Sequence, residues 1–135
     1  MEKKNNKTLN IALWVAQVLL AAMFLMAGIM KATQPIEELS QSMTWGNDFS
    51  AGMVRFIGIS ELLGGIGLLL PALLRIKPIF TPLAALGLFI IMVLAFIYHI
   101  SNAEYQALGI NLILGAIAVF IAWGRYKKAP IQPKA

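Results

Sequence analysis

The chain has 135 residues, 59% of them hydrophobic, and a formal net charge of +5. A mean hydropathy of +0.77 sets it outside the range of ordinary soluble domains. With no cysteine and one histidine, it excludes disulfides, thiol relays, iron–sulfur clusters, thiolate zinc sites and bis-histidine haem within this chain. No covalently bound cofactor and no metal site is expected.

Residues 1–10 (MEKKNNKTLN) read as a polar, basic tail, with Thr8 or Asn10 placed to cap the helix that follows. Four apolar runs then occupy most of the chain: Ile11–Met30, Met53–Leu74, Ile79–Ile100 and Tyr105–Trp123. Each is close to the ~20 residues with which a helix crosses ~30 Å of hydrocarbon. The alternation of a barrel strand is absent, so helices are the structures left that satisfy their backbone in lipid. The first run exceeds the ~7–15 apolar residues of a cleaved signal peptide, and it is read as a retained helix. The expected fold is an all-α integral membrane four-helix bundle over residues 11–124, closed by a tail over 125–135.

Between the first two runs lies the one long connection, residues 32–52. Pro35 followed by Glu37 and Glu38 reads as the start of a short helix. Trp45, Gly46, Asn47 and Asp48 read as a turn at the headgroup level, where tryptophan commonly lies. This segment either lids the bundle or anchors it as an interfacial helix. The remaining connections are short, which forces neighbouring helices antiparallel. Pro71 falls near the end of the second helix, and Pro78 and Pro82 begin the third. The tail Ala129–Ala135 is expected to be mobile.

The charges lie asymmetrically. Of the 11 Lys and Arg residues, all but Lys31 and Arg55 fall on the side that holds both termini. Glu37, Glu38, Asp48 and Glu104 fall opposite. By the positive-inside rule both termini are expected in the cytoplasm. The basic residues then face anionic lipid rather than nucleic acid.

Steps of three and four select one face of each helix. The faces are Gln17, Ala21, Phe24, Gly28 and Lys31; Gly58, Glu61, Gly65 and Leu68; Ala85, Leu88, Met92, Ala95 and His99; and Glu104, Leu108, Asn111, Gly115, Ala118 and Ala122. Each joins small residues, which allow close helix contact, to polar residues that hydrogen-bond across helices. These faces are expected to meet in the bundle interior.

Glu61 is the sharpest feature. A carboxylate on lipid is costly, so it must be protonated, paired or facing a wet cavity. At ~1.5 Å per residue it lies roughly 12 Å from the outer start of its helix, and Asn111 lies roughly 9 Å from the start of the fourth. Lys31, Arg55 and His99 sit at the same rim. Arg55 is about 120° around the helix from Glu61, so Lys31 and His99 are equally good partners for it. Histidine changes charge near neutral pH, which makes a His99–Glu61 proton relay one reading and a merely interfacial histidine the other. Lys31 and Arg55 alternatively snorkel to headgroups. Asn111 reads best as an interhelical hydrogen-bond donor, and Gln17 is the deepest polar group toward the terminal side. Met92 shares a face with His99, where His/Met haem ligation competes with the commoner role of methionine in core packing. Glu61, His99, Arg55, Lys31, Asn111 and Gln17 are the candidate ligand-binding or proton-relay residues, in a pocket expected to open outward beneath residues 32–52. The alternative is that Glu61 serves as a polar staple fixing helix register.

The segment Arg55 to Pro71 (RFIGISELLGGIGLLLP), with Met92-x-x-Ala95-x-x-x-His99 and Gly28-x-x-Lys31, resembles the signature of the DoxX-like membrane proteins, and the likeness spans nearly the whole chain. The resemblance implies a four-helix fold in a prokaryotic plasma membrane. It also implies one of several roles, because members have been linked to a thiosulfate:quinone oxidoreductase subunit, to membrane complexes with oxidative-stress enzymes and to receptor-assembly chaperones. Glu61, Arg55, His99 and Lys31 are the matched polar positions, and kinship of fold assigns them no catalytic role.

Three functions follow as expectations. The first is an accessory or binding subunit of a quinone-linked redox system, with a membrane oxidoreductase as partner and a quinone in the pocket. The second is an assembly factor that holds other proteins. The third is a small proton-coupled transporter, which the strong charge bias disfavours.

Overall fold

Pro35 disfavours helical backbone at the residue before it, and the first helix accordingly stops at Thr33. The computed structural model describes residues 2–42 and 49–134, and the side chains of 7–39 and 49–134. The turn expected at Trp45–Asp48 lies outside the described residues. Helix α1 runs Glu2–Thr33, α2 Ile36–Ser42, α3 Ala51–Leu74, α4 Phe80–Ser101 and α5 Leu108–Trp123, and no strand occurs among the described residues. Four helical segments, Lys7–Thr33, Ala51–Leu74, Phe80–Ser101 and Tyr105–Lys128, are long and apolar enough to cross a membrane, and large apolar side chains such as Val18, Leu63, Ile97 and Leu112 cover their outer faces.

Local sequence explains the ends. In α2, Glu37 and Glu38 occupy the first turn, where carboxylates favour the helix dipole, and Pro35 O accepts from Glu38 N and Leu39 N. Ser50 caps α3 by accepting from Met53 N at 3.2 Å. Arg75 and Lys77, both in left-handed backbone (φ 57° and 45°), turn the chain from α3 into α4. A 3₁₀ turn at Tyr105–Ala107 leads into α5, and a π-helical turn at Gly124–Lys128 ends it.

Helix α1 packs mainly on α3, and α4 on α5, with α3 against α4 joining the two pairs. The terminal segments share one end, called here the basic end: Arg125 reaches Asn10, and Lys134 N donates to Arg75 O at 2.8 Å. The opposite, loop end carries α2 and the α4–α5 turn. Small residues set the spacing. A Cβ on Gly58 would lie 2.7 Å from Ala32 N, and one on Gly28 would lie 2.7 Å from Gly58 O, so α1 and α3 touch backbone to backbone. Gly64 and Gly67 bring α3 against Leu88 and Ala84 of α4 in the basic-end half.

Pro71 lies inside α3 and cannot donate to Gly67 O. The hydroxyl of Thr81, fully buried on α4, donates to that carbonyl at 3.2 Å. A helix-breaking residue is thus tolerated because a neighbouring helix supplies the lost donor.

Two expectations change. Thr8 and Asn10 both lie inside α1 rather than at its N-cap, because the polar start of the chain continues the helix. The C-terminal tail, read as mobile, is tied to the α3–α4 turn: Arg75 Nε donates to Gln132 O at 2.9 Å, in addition to the Lys134–Arg75 bond.

Candidate functional site

The interior faces meet as their spacing requires. Gln17, Ala21, Phe24, Glu61, Leu68, Ala85, Leu88, Met92, Asn111 and Ala118 are all buried. On α5 it is Ile121, not Ala122, that completes the core.

Lys31 settles the pairing of Glu61. Its Nζ donates to Glu61 Oε1 at 2.6 Å, and the carboxylate side chain is 2% exposed. The glycine contact between α1 and α3 makes this possible, since Lys31 lies against Gly58, just under one turn from Glu61. Arg55 takes a different task. Its Nη1 donates to Lys31 O at 3.0 Å, satisfying a carbonyl left over at the end of α1. His99 turns Nδ1 to Glu104 Oε1 at 3.1 Å, and its ring meets Tyr98 edge-on with centroids 5.5 Å apart.

Lys31, Glu61, His99 and Asn111 line one cavity of about 480 Å³ in the loop-end half of the bundle, within the size range of small-molecule sites. The rest of its wall is mostly apolar, from Met53, Ile57, Ile91 and Met92 among others. Asn111 is 8% exposed, and its Nδ2 has no acceptor among the described residues. Buried amide donors are almost always paired, so Asn111 is not the satisfied interhelical donor that its position suggests. The residue lines the cavity, while Nδ2 itself is buried and short of an acceptor among the described residues. Arg55 adjoins this site through Lys31 without lining it.

Gln17 belongs elsewhere. At the basic end its Nε2 donates to Leu68 O at 2.7 Å, and its Oε1 accepts from Arg125 Nε at 2.6 Å. Arg125 Nη1 donates further to Asn10 Oδ1 at 2.7 Å and Ala129 O at 2.9 Å, and the guanidinium lies 5.3 Å from the centre of the Trp14 ring. Sequence reasoning placed Arg125 among the basic residues that face anionic lipid, yet it is 3% exposed. Its signal was present: the face Asn111, Gly115, Ala118 and Ala122 continues by three to Arg125. The polar residues therefore form two separate centres, one at each end.

Fold and cavity together define a four-helix integral membrane protein with a polar-floored cavity in one half of its bundle. The chain belongs to the DoxX-like family, whose model matches residues 15–121. That span holds Lys31, Arg55, Glu61, His99 and Asn111, and leaves Asn10 and Arg125 outside it. No curated protein and no solved structure matches the chain.

Proposed function

We propose that the protein is a membrane-embedded binding subunit whose cavity holds a quinone-type headgroup for a membrane redox system. The observation that carries this reading is Asn111, which lines a cavity of about 480 Å³ and whose buried Nδ2 lacks an acceptor among the described residues. A quinone carbonyl is the complement of such a donor, and the apolar wall suits the ring. His99, on the same wall, is the group fitted to exchange protons with a headgroup undergoing reduction. Electrons would come from a partner oxidoreductase. The charge pattern supports cytoplasmic termini, so the cavity would lie in the outer half of a prokaryotic plasma membrane.

A mild-detergent purification of the tagged protein, with co-eluting lipids and proteins identified by mass spectrometry, tests the reading. Quinone near one equivalent in the native protein, lost in Asn111→Leu, supports it. A recurrent protein partner with no quinone in either preparation replaces it with an assembly role.

A further inference from the structure

The walls of the cavity differ in what lies behind them. Toward the basic end, α3 and α4 close on each other, with Leu88 against Gly64 and Ala84 against Gly67. At the back stand Lys31 of α1 and Asn111 of α5. Toward the loop end, the rings of Phe49 and Tyr98 meet with centroids 5.4 Å apart, and both line the cavity, forming an aromatic roof on the side nearest water. The remaining side lies between Phe56 of α3 and Leu94 of α4. Both line the cavity, yet they are 66% and 61% exposed, and their neighbours on the outer surface are apolar.

The charges at the floor restrict the occupant. Glu61 is matched by Lys31, and His99 is turned to Glu104. A phosphate headgroup would find no uncommitted cation among these four groups and would meet the Glu61 carboxylate on the cavity wall. An uncharged acceptor meets the Asn111 donor without that repulsion.

We infer that the cavity is a lateral cleft, open to the bilayer between α3 and α4, and that it takes an uncharged carbonyl headgroup whose apolar chain extends past Phe56 and Leu94 into lipid. On binding, the Asn111 amide turns its Nδ2 to the carbonyl, and the ligand comes and goes within the membrane rather than through water. The inference rests on the binding role proposed above and adds the route by which the ligand enters.

The chain has no cysteine, so single nitroxide labels can be attached without background. In liposomes, labels at Ser60→Cys and Ala95→Cys, both on the cavity wall, are compared with Leu63→Cys on the lipid face and Asn102→Cys at the loop end. Collision rates are measured with oxygen, which concentrates in the bilayer, and with a water-soluble nickel chelate. The inference expects the oxygen-to-nickel ratio at Ser60 and Ala95 to match Leu63 and to exceed Asn102 about tenfold, since water is absent from the hydrocarbon region. A decyl-chain benzoquinone in the bilayer should lower oxygen collisions at both cavity sites about twofold at half occupancy, with no change at Leu63. Asn111→Leu should remove that protection. Nickel-dominated collisions at Ser60 and Ala95 would overturn the lateral cleft even if quinone protects them, and the binding role would then stand. Oxygen-dominated sites that no quinone protects would sustain the lateral opening and retire the quinone reading.

Discussion

Replacing Lys31 with methionine keeps the length of the side chain and deletes the ammonium 2.6 Å from Glu61 Oε1. The gross attraction at that distance is about 6 kcal/mol at an effective dielectric constant of ~20. Much of it is offset by desolvation, because Glu61 is 2% exposed and Lys31 15%. What remains after deletion is a carboxylate held among helices without its partner, and losing one member of a buried pair costs about 3–5 kcal/mol. Glu61→Leu should cost less, about 1–2 kcal/mol, since Lys31 sits at the rim and its flexible chain can carry the ammonium to headgroups. The double variant Lys31→Met/Glu61→Leu removes both charges and replaces them with apolar volume. It should return to within about 1 kcal/mol of the wild type or exceed it. Reversible unfolding in mixed micelles of a mild detergent and dodecyl sulfate, followed by tryptophan fluorescence, reads all three. A Lys31→Met variant that loses less than about 1 kcal/mol would show that Glu61 is compensated elsewhere. A double variant as unstable as the single would show that the pair is not what was lost. The double also separates two roles of Glu61. If the carboxylate is a staple for register, quinone protection survives with the fold, and if it holds the ligand, protection is lost from a bundle of normal stability.

Asn111→Leu removes a buried donor that has no acceptor among the described residues, so stability in the same assay should hold or rise by about 1 kcal/mol while quinone protection disappears. A loss of 2 kcal/mol or more (about the cost of a broken buried bond) would mean that the amide is satisfied within the protein. Gly58→Ala places a methyl 2.7 Å from Ala32 N and from Lys31 Cβ, and backbone atoms yield poorly. It should cost about 1–3 kcal/mol and weaken the effect of a subsequent Lys31→Met, and a neutral result would refute the close α1–α3 contact. Arg125→Lys keeps the charge but not the planar fork that reaches Gln17, Asn10 and Ala129 together. A loss of about 1–3 kcal/mol is expected, and a lysine variant as stable as the wild type would show that charge alone matters at the basic end.

The fold was legible because one physical requirement repeats through the chain. Helices that pack in lipid need small residues where they touch, so Gly28, Gly58, Gly65, Ala85 and Gly115 mark the interior at helical spacing. The apolar lengths marked the spans for the same kind of reason. Partnerships were less legible. Lys31, Arg55 and His99 all stood at the rim near Glu61, and choosing among them requires the distance between helices, which the Gly28–Gly58 contact sets. Gln17 was assigned to the same constellation by its face, yet a helix face runs the whole length of the bundle and does not say which end shares a partner. Arg125 was hidden by a correct rule. Basic residues after a last helix do orient membrane proteins, and that sufficient explanation concealed a guanidinium 3% exposed, three residues beyond the stripe that would have found it.

The position of the cavity follows from where the helices are fastened. Thr81 to Gly67 O joins α4 to α3, Arg125 to Gln17 and Asn10 joins the end of α5 to α1, and Gln17 to Leu68 O joins α1 to α3. All three lie toward the basic end. In the loop-end half the strongest polar tie is Lys31–Glu61, and it joins α1 to α3, the pair already in backbone contact. Across the cavity, the ring of Phe49, which precedes α3, meets that of Tyr98 on α4. Widening the cleft at Phe56 and Leu94 therefore breaks none of these hydrogen bonds, whereas parting α3 from α4 at Gly67 would expose a carbonyl that Pro71 leaves without its helical partner. These interhelical ties are gathered at the basic end, and Asn111, with its unmet donor, lies in the other half.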